Sequence, residues 1–79
     1  MGGKIKVLFF GRLKDITGSR EIQISDVEDI ESLKAYLFDK FPKLKQEIFS
    51  IALNYETIYD NENLKDNDEV ALIPPVSGG

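Results

Sequence analysis

The chain contains neither cysteine nor histidine. Without cysteine it has no disulfide frame, no thiolate zinc knuckle and no thiol nucleophile of its own. Without histidine it lacks the commonest general base and metal ligand, so a conventional side-chain active site is hard to assemble. No run approaches the roughly 20 apolar residues of a membrane span, and the opening MGGKIK has no apolar segment of the secretory kind. Lys6 stands where N-myristoylation usually places Ser or Thr, which sets that modification aside. There is no G-x-G-x-x-G or Walker-type loop, so no nucleotide site is expected on the chain itself. A net charge of −4 argues against nucleic acid as the main partner. The expectation is a cytoplasmic protein with no membrane association, no directly bound cofactor and no metal.

What is present describes one small globular domain. Seventy-nine residues bury only about 60% of their unfolded surface, enough for one core and too little for a roomy internal pocket. Hydrophobic content of 42% with charge of both signs is that of a folded chain. The charge is uneven. Lys4, Lys6, Arg12, Lys14 and Arg20 face only Asp15 in the first 20 residues, whereas Glu56, Asp60, Glu62, Asp66, Asp68 and Glu69 face only Lys65 in residues 54–70. Such asymmetry can steer a partner, although surfaces carry charge in any case. The acids and amides of DNENLKDNDE imitate a calcium loop, but counting from Asp60 puts Lys65 and Ala71 where an EF-hand needs Gly and Glu. Asx-turn chemistry explains that run better.

Periodicity supplies the elements. In KIKVLFF, residues 4–10, Ile5, Val7 and Phe9 share one face opposite Lys4 and Lys6, which predicts a strand and turns Phe10 outward. Residues 11–18 read as a turn or single helical coil closed by Gly18. Arg20 to Ser25 alternates again with Ile22 and Ile24 inward, completing an antiparallel hairpin. The main helix is expected after Asp29 as N-cap, with Glu31 complementing the positive helix end. Its apolar stripe is Ile30, Leu33, Leu37 and Phe41, with Tyr36 and Phe38 at the margins, and Pro42 stops it. A turn in LKQEIF comes next, then strands in SIALN and ETIYD, a turn region and a last strand EVALIP. The fold class is α+β: a roll of about five strands in a mixed sheet, with one main helix packed across it. The first and last strands are the most hydrophobic, which places them together at the centre, paired in parallel.

The closing IPPVSGG sets the stiffest residues before the loosest. Pro74 and Pro75 fix their own φ and push the residues before them to extended geometry, so they end the strand and launch the last four residues away from the sheet. From Val76 to Gly79 the chain reaches roughly 13 Å at full stretch. Gly78 and Gly79 can thread a passage that any Cβ would block. Residues 1–75 are therefore expected to form the domain and 76–79 a flexible diglycine tail that delivers a terminal carboxyl to another protein's active site. Activated as an acyl-adenylate, such a carboxyl can accept sulfur to become a thiocarboxylate, or pass to a lysine amine as an isopeptide.

Over nearly its whole length the chain resembles the small, sulfur-carrying subunits of molybdopterin synthase, ubiquitin-like β-grasp proteins of the MoaD/ThiS family. IKVLFFGRLKDITG, the helix after Asp29 and LNYETIYDNENLKDNDEVALIPPVSGG carry the resemblance, with KVLFF and DEVALIPPVSGG its most specific pieces. The resemblance implies a subunit that is not an enzyme by itself. An adenylating enzyme related to ubiquitin-activating enzymes would use Mg-ATP to activate Gly79, and a sulfurtransferase or cysteine desulfurase system would leave covalent sulfur on its carboxyl. The large synthase subunit would then receive the tail, and sulfur would pass to cyclic pyranopterin monophosphate to build the dithiolene that holds molybdenum. In that family two small subunits flank a dimer of large ones.

Residue by residue, Gly79 matches the modified glycine and Gly78 the one that lets it enter. Pro74, Pro75, Val76 and Ser77 match the tail, with Ser77 where the family often has Thr. Phe10 and Ile73 match interface hydrophobics, and Lys14 a basic position near the tail. Ile73 departs from an aromatic often found there, and Thr57 from a larger apolar residue. The sulfur carriers of thiamin thiazole synthesis share fold, diglycine and adenylation, but are usually shorter and lack the PPV launch. A lysine-attached protein modifier and a passive β-grasp interaction domain are the remaining alternatives.

Overall fold

The computed structural model describes residues 3–75. In chain order the elements are strand β1 (Lys4–Phe9), helix α1 (Leu13–Thr17), β2 (Glu21–Ser25), helix α2 (Ile30–Lys40), a 3-10 helix (Pro42–Gln46), β3 (Ser50–Leu53), β4 (Glu56–Ile58) and β5 (Glu69–Ile73). The five strands form one sheet in the order β2-β1-β5-β3-β4. β1 and β5 pair in parallel at its centre, with Val7 opposite Val70 and Phe9 opposite Leu72. All the other pairings are antiparallel. This is the mixed-sheet roll that the order of elements predicts.

Strand parity builds the core. Ile5, Val7 and Phe9 of β1, Ile24 of β2, and Val70 and Leu72 of β5 are buried on one face of the sheet. Ile30, Leu33 and Leu37 recur at helical spacing on α2 and are buried in the same cluster. Phe41, expected as the next member of that stripe, instead ends the helix with a non-helical backbone (φ −128°, ψ 79°). The residue before a proline is pushed out of helical geometry, and Pro42 acts one position earlier than the periodicity implies. The Phe41 ring still reaches the core, edge-on to Phe9 with ring centroids 5.9 Å apart. Leu13 and Leu44 are completely buried as well. Each belongs to an element too short for periodicity to reveal a face.

Element ends differ from expectation by a residue or two. β1 stops at Phe9, not Phe10; β3 stops at Leu53; β4 covers only Glu56–Ile58; and β5 stops before Pro74, which has no N–H to give a ladder. The acids of the run before β5 do bond backbone amides, but not as Asx turns: Asp66 Oδ1 accepts from the Lys4 N–H at the start of β1 at 2.7 Å, and Asp68 Oδ2 from the Lys65 N–H three residues before it at 2.7 Å.

The start of α2 is tied down from two directions. Asp29 Oδ1 accepts from the Ser32 N–H at 2.8 Å while the Asp29 N–H donates to Ser32 Oγ at 3.1 Å, a reciprocal capping box. The loop after β4 supplies the rest. The Ile30 N–H donates to the Glu62 carbonyl at 3.0 Å, and the Glu31 N–H to Asn61 Oδ1 at 2.9 Å. Amides that a helix end leaves open are thereby satisfied by residues about thirty positions away. Hydrogen bonds from the Ser32 side chain, the Ser32 backbone and Asn61 hold the Asp29 carboxyl below its ordinary value of 3.8. A carboxyl depressed in the folded state contributes stability above its unfolded value and loses it as pH falls through the folded one. Asp29→Ala is therefore expected to lower the urea midpoint at pH 7. The gap to the wild type should close as denaturation is repeated at progressively lower pH below about 4.

Candidate functional site

The same alternation that fills the core leaves a second, uncovered face. Leu8 pairs with Ala71 across β1 and β5, Ala71 with Ala52 across β5 and β3, and Ala52 with Thr57 across β3 and β4. All four point away from α2, because their neighbours in each strand point toward it. Two alanines in the middle leave a shallow groove of about 260 Å³ whose other walls include Phe10 and Ile73. Phe10 is 45% exposed and Ile73 37%. They sit side by side at the end of the central parallel pair, where the Phe10 N–H donates to the Leu72 carbonyl at 3.2 Å. The opposite end of this face is charged, with Lys6 beside Glu69. An uncovered apolar patch with a polar border has the composition of a protein-docking surface.

The chain leaves the sheet beside that patch. Pro74 is half-buried and Pro75 exposed. Gly11, in the turn after β1, has φ +56°, and a Cβ placed on it would lie 2.8 Å from Pro74 Cγ. Gly11 is thus required twice, by a left-handed backbone and by the proline ring pressed against it. The turn after β1 and the root of the tail form one bracket, with Phe10 projecting from its base.

Lys14 lies exposed on α1 and, with Phe10 and Arg20, lines a second depression of about 410 Å³. The structure therefore brings together Phe10, Ile73, Pro74, Pro75 and, at one margin, Lys14. Gly78, Gly79, Val76 and Ser77 lie outside the described residues. Thr57 is exposed on the same open face. Three features of the site escaped sequence reasoning. The contact of Gly11 with Pro74 joins residues too distant for any local pattern. Arg20 reads as a strand start and one of several basic residues, with nothing to place it beside Phe10. Tyr55, on the rim of the groove, was hidden because Asn54-Tyr55 does not look like the Asn-Gly of a tight hairpin.

Among the described residues no polar or charged side chain is buried, and no group of three or more acids is arranged to hold a metal. Asp29, whose carboxyl is held below its ordinary value by hydrogen bonds from Ser32 and Asn61, caps α2 on the other side of the sheet. No helix among the described residues is long and apolar enough to cross a membrane.

Comparison with known proteins places this arrangement. The model of the ThiS family matches residues 7–79. A molybdopterin synthase sulfur carrier subunit from Chlamydomonas reinhardtii is 38% identical, with 96% of this chain and 99% of the relative covered. The small archaeal modifier protein 1 of Methanosarcina acetivorans superposes with a TM-score of 0.84 at 30% identity, covering 100% of this chain and 99% of that one. A chain from the complex of subunits 1 and 2 of the molybdopterin-converting factor of Helicobacter pylori superposes with a TM-score of 0.78 at 37% identity, covering 96% of this chain and 99% of that one.

Proposed function

This chain belongs to the ThiS family, and from that membership we propose that it is the sulfur carrier subunit of a molybdopterin synthase. The observation that carries the proposal is the end-to-end match to a relative of that name, 38% identical over 96% of this chain and 99% of the other. The fold supports it. The uncovered patch of Leu8, Phe10, Ala71 and Ile73 and the proline-braced tail root adjoin, so one partner could engage both.

In this reading Gly79 carries the chemistry. Its carboxylate attacks the α-phosphorus of Mg-ATP on an adenylating enzyme of the ubiquitin-activating type, and pyrophosphate leaves. A persulfide on a sulfurtransferase or cysteine desulfurase then attacks the acyl-adenylate and AMP leaves; a thiol reductant cleaves the resulting acyl disulfide, itself ending in a disulfide, and Gly79 is left as a thiocarboxylate. The large synthase subunit seats the open face and receives residues 76–79 as a tail. The thiocarboxylate sulfur bonds to cyclic pyranopterin monophosphate, and water cleaves the resulting thioester, leaving the sulfur on the pterin and Gly79 as a carboxylate. In this reading the chain is the sulfur donor and the large subunit the catalyst. Lys14, beside Phe10, is assigned to partner contact.

Native mass spectrometry of the chain purified from its own host, with fragmentation of its C-terminus, tests the proposal. The expected result is a population with sulfur in place of one Gly79 oxygen, together with a co-eluting larger chain. A plain carboxylate that stays unchanged after incubation with ATP, the adenylating enzyme and a sulfur source overturns it. The likeness to a small archaeal modifier protein favours a second reading, attachment of Gly79 to lysine amines. That reading requires higher-mass conjugates whose linkage is an isopeptide at Gly79.

A further inference from the structure

Tyr55 occupies a conformation that its side chain opposes. Leu53 pairs with Glu56, so β3 and β4 are joined by the two residues Asn54 and Tyr55 alone. Their φ angles are +50° and +72°. Both positive, they describe the type I′ hairpin turn, whose second position is most often glycine. Asn tolerates this region, but for a bulky aromatic it is an unfavourable outlier. The ring gains no burial in return, since Tyr55 is 88% exposed. Asn54 explains its own presence: its side chain bonds Asp68 Oδ1 at 3.0 Å and the Glu69 N–H at 2.9 Å. Tyr55 makes no corresponding side-chain hydrogen bond among the described residues. Nothing in the fold of the isolated chain requires an aromatic residue there, and glycine would suit the backbone better.

Strain retained at an exposed position points to a role outside the free molecule. The location says which. Tyr55 stands on the rim of the open-face groove, with Thr57, Ala71, Phe10 and Ile73 around the same depression. Tyr59 is equally exposed at 90%, yet lies against the depression bordered by Ile30 and Lys34 of α2. We propose that Tyr55 is a docking residue: the strained hairpin holds its ring upright at the edge of the patch, where the large subunit of molybdopterin synthase closes over it. The occupant follows from continuity with the patch that adjoins the tail root, and from the homologous complex of subunits 1 and 2, whose corresponding chain is 37% identical to this one. Tyrosine suits such a place, because its rigid ring gives a large contact area at low entropic cost and keeps a wet hydroxyl at the rim. The inference rests on the carrier reading and adds a residue that selects the partner.

Binding of the purified full-length chain to the purified large subunit, by titration calorimetry, tests this with four proteins. Wild type is expected to bind. Tyr55→Gly should bind at least about tenfold more weakly, as loss of an aromatic anchor does, while its urea midpoint stays level or rises. Tyr55→Phe should remain within about threefold of wild type, because the ring supplies the contact. Tyr59→Ala removes an equally exposed aromatic outside the groove and should leave affinity unchanged. Equal affinity of Tyr55→Gly and wild type overturns the inference alone. An equal loss in Tyr59→Ala overturns it too, since the effect would then not belong to the groove. If wild type itself does not bind, the carrier reading fails together with the inference.

Discussion

Gly79→Ala is expected to lower the rate of dithiolene formation by about a hundredfold or more, because a displacement of roughly 1 Å at the reacting group suffices for that. Under the proposed carrier mechanism the added methyl sits on the residue whose carboxyl would enter two successive active sites, each through a passage shaped to a chain without side chains. The described core lies entirely between Ile5 and Leu72, so the variant should unfold at the same urea concentration as wild type. Rates of adenylation, thiocarboxylation and sulfur transfer, measured separately with purified partners, locate the step that fails. A normal rate of product formation from Gly79→Ala would remove the carrier mechanism. Unchanged sulfur chemistry with loss of conjugates would instead favour the modifier reading.

The second large effect is on folding. Leu37→Ala should cost about 2–5 kcal/mol, the range for deleting a buried leucine side chain and leaving a cavity. Leu37 is 1% exposed and belongs to the cluster that includes Val7, Phe9 and Leu72 beneath α2. A domain of this size has roughly 4–12 kcal/mol of total stability, so one methyl-rich side chain is a large share of it. Tyr36, its neighbour in sequence, is 41% exposed, and Tyr36→Ala should change stability by no more than about 0.5 kcal/mol. Urea denaturation of the two variants compares a core position with a surface position one residue apart. Equal midpoints would mean that the buried face of α2 is misassigned.

The difference between those neighbours was already legible in the sequence, since helical spacing sorts Leu33 and Leu37 from Tyr36. Strand parity did the same for Ile5, Val7 and Phe9 against Lys4 and Lys6, and the cap at Asp29 was visible from residue type. So were the mixed sheet, its single main helix and the central parallel pair, the last from the hydrophobicity of the first and last strands in the chain. Failures fell where elements are short or strained. Phe41 left the helix because a proline succeeds it, and Leu13 and Leu44 sit in single turns that have no periodicity to read. The residues assigned to partner contact divide in the same way. Ile73 and the prolines stand out in the sequence, whereas the groove that Phe10 shares with Tyr55 and Thr57 gathers residues from four strand ends.

Local pattern thus determined the longer elements and the face each of them buries, because alternation and 3.6-residue spacing depend only on near neighbours along the chain. Tertiary structure decided the rest. The stitching of Asn61 and Glu62 onto the first turn of α2 depends on backbone groups that only folding brings together. So do the seat that Gly11 makes for Pro74 and the left-handed turn that lifts Tyr55 beside the open face. Each is set by strand register and chain crossing, and these have no signature within a window of neighbouring residues.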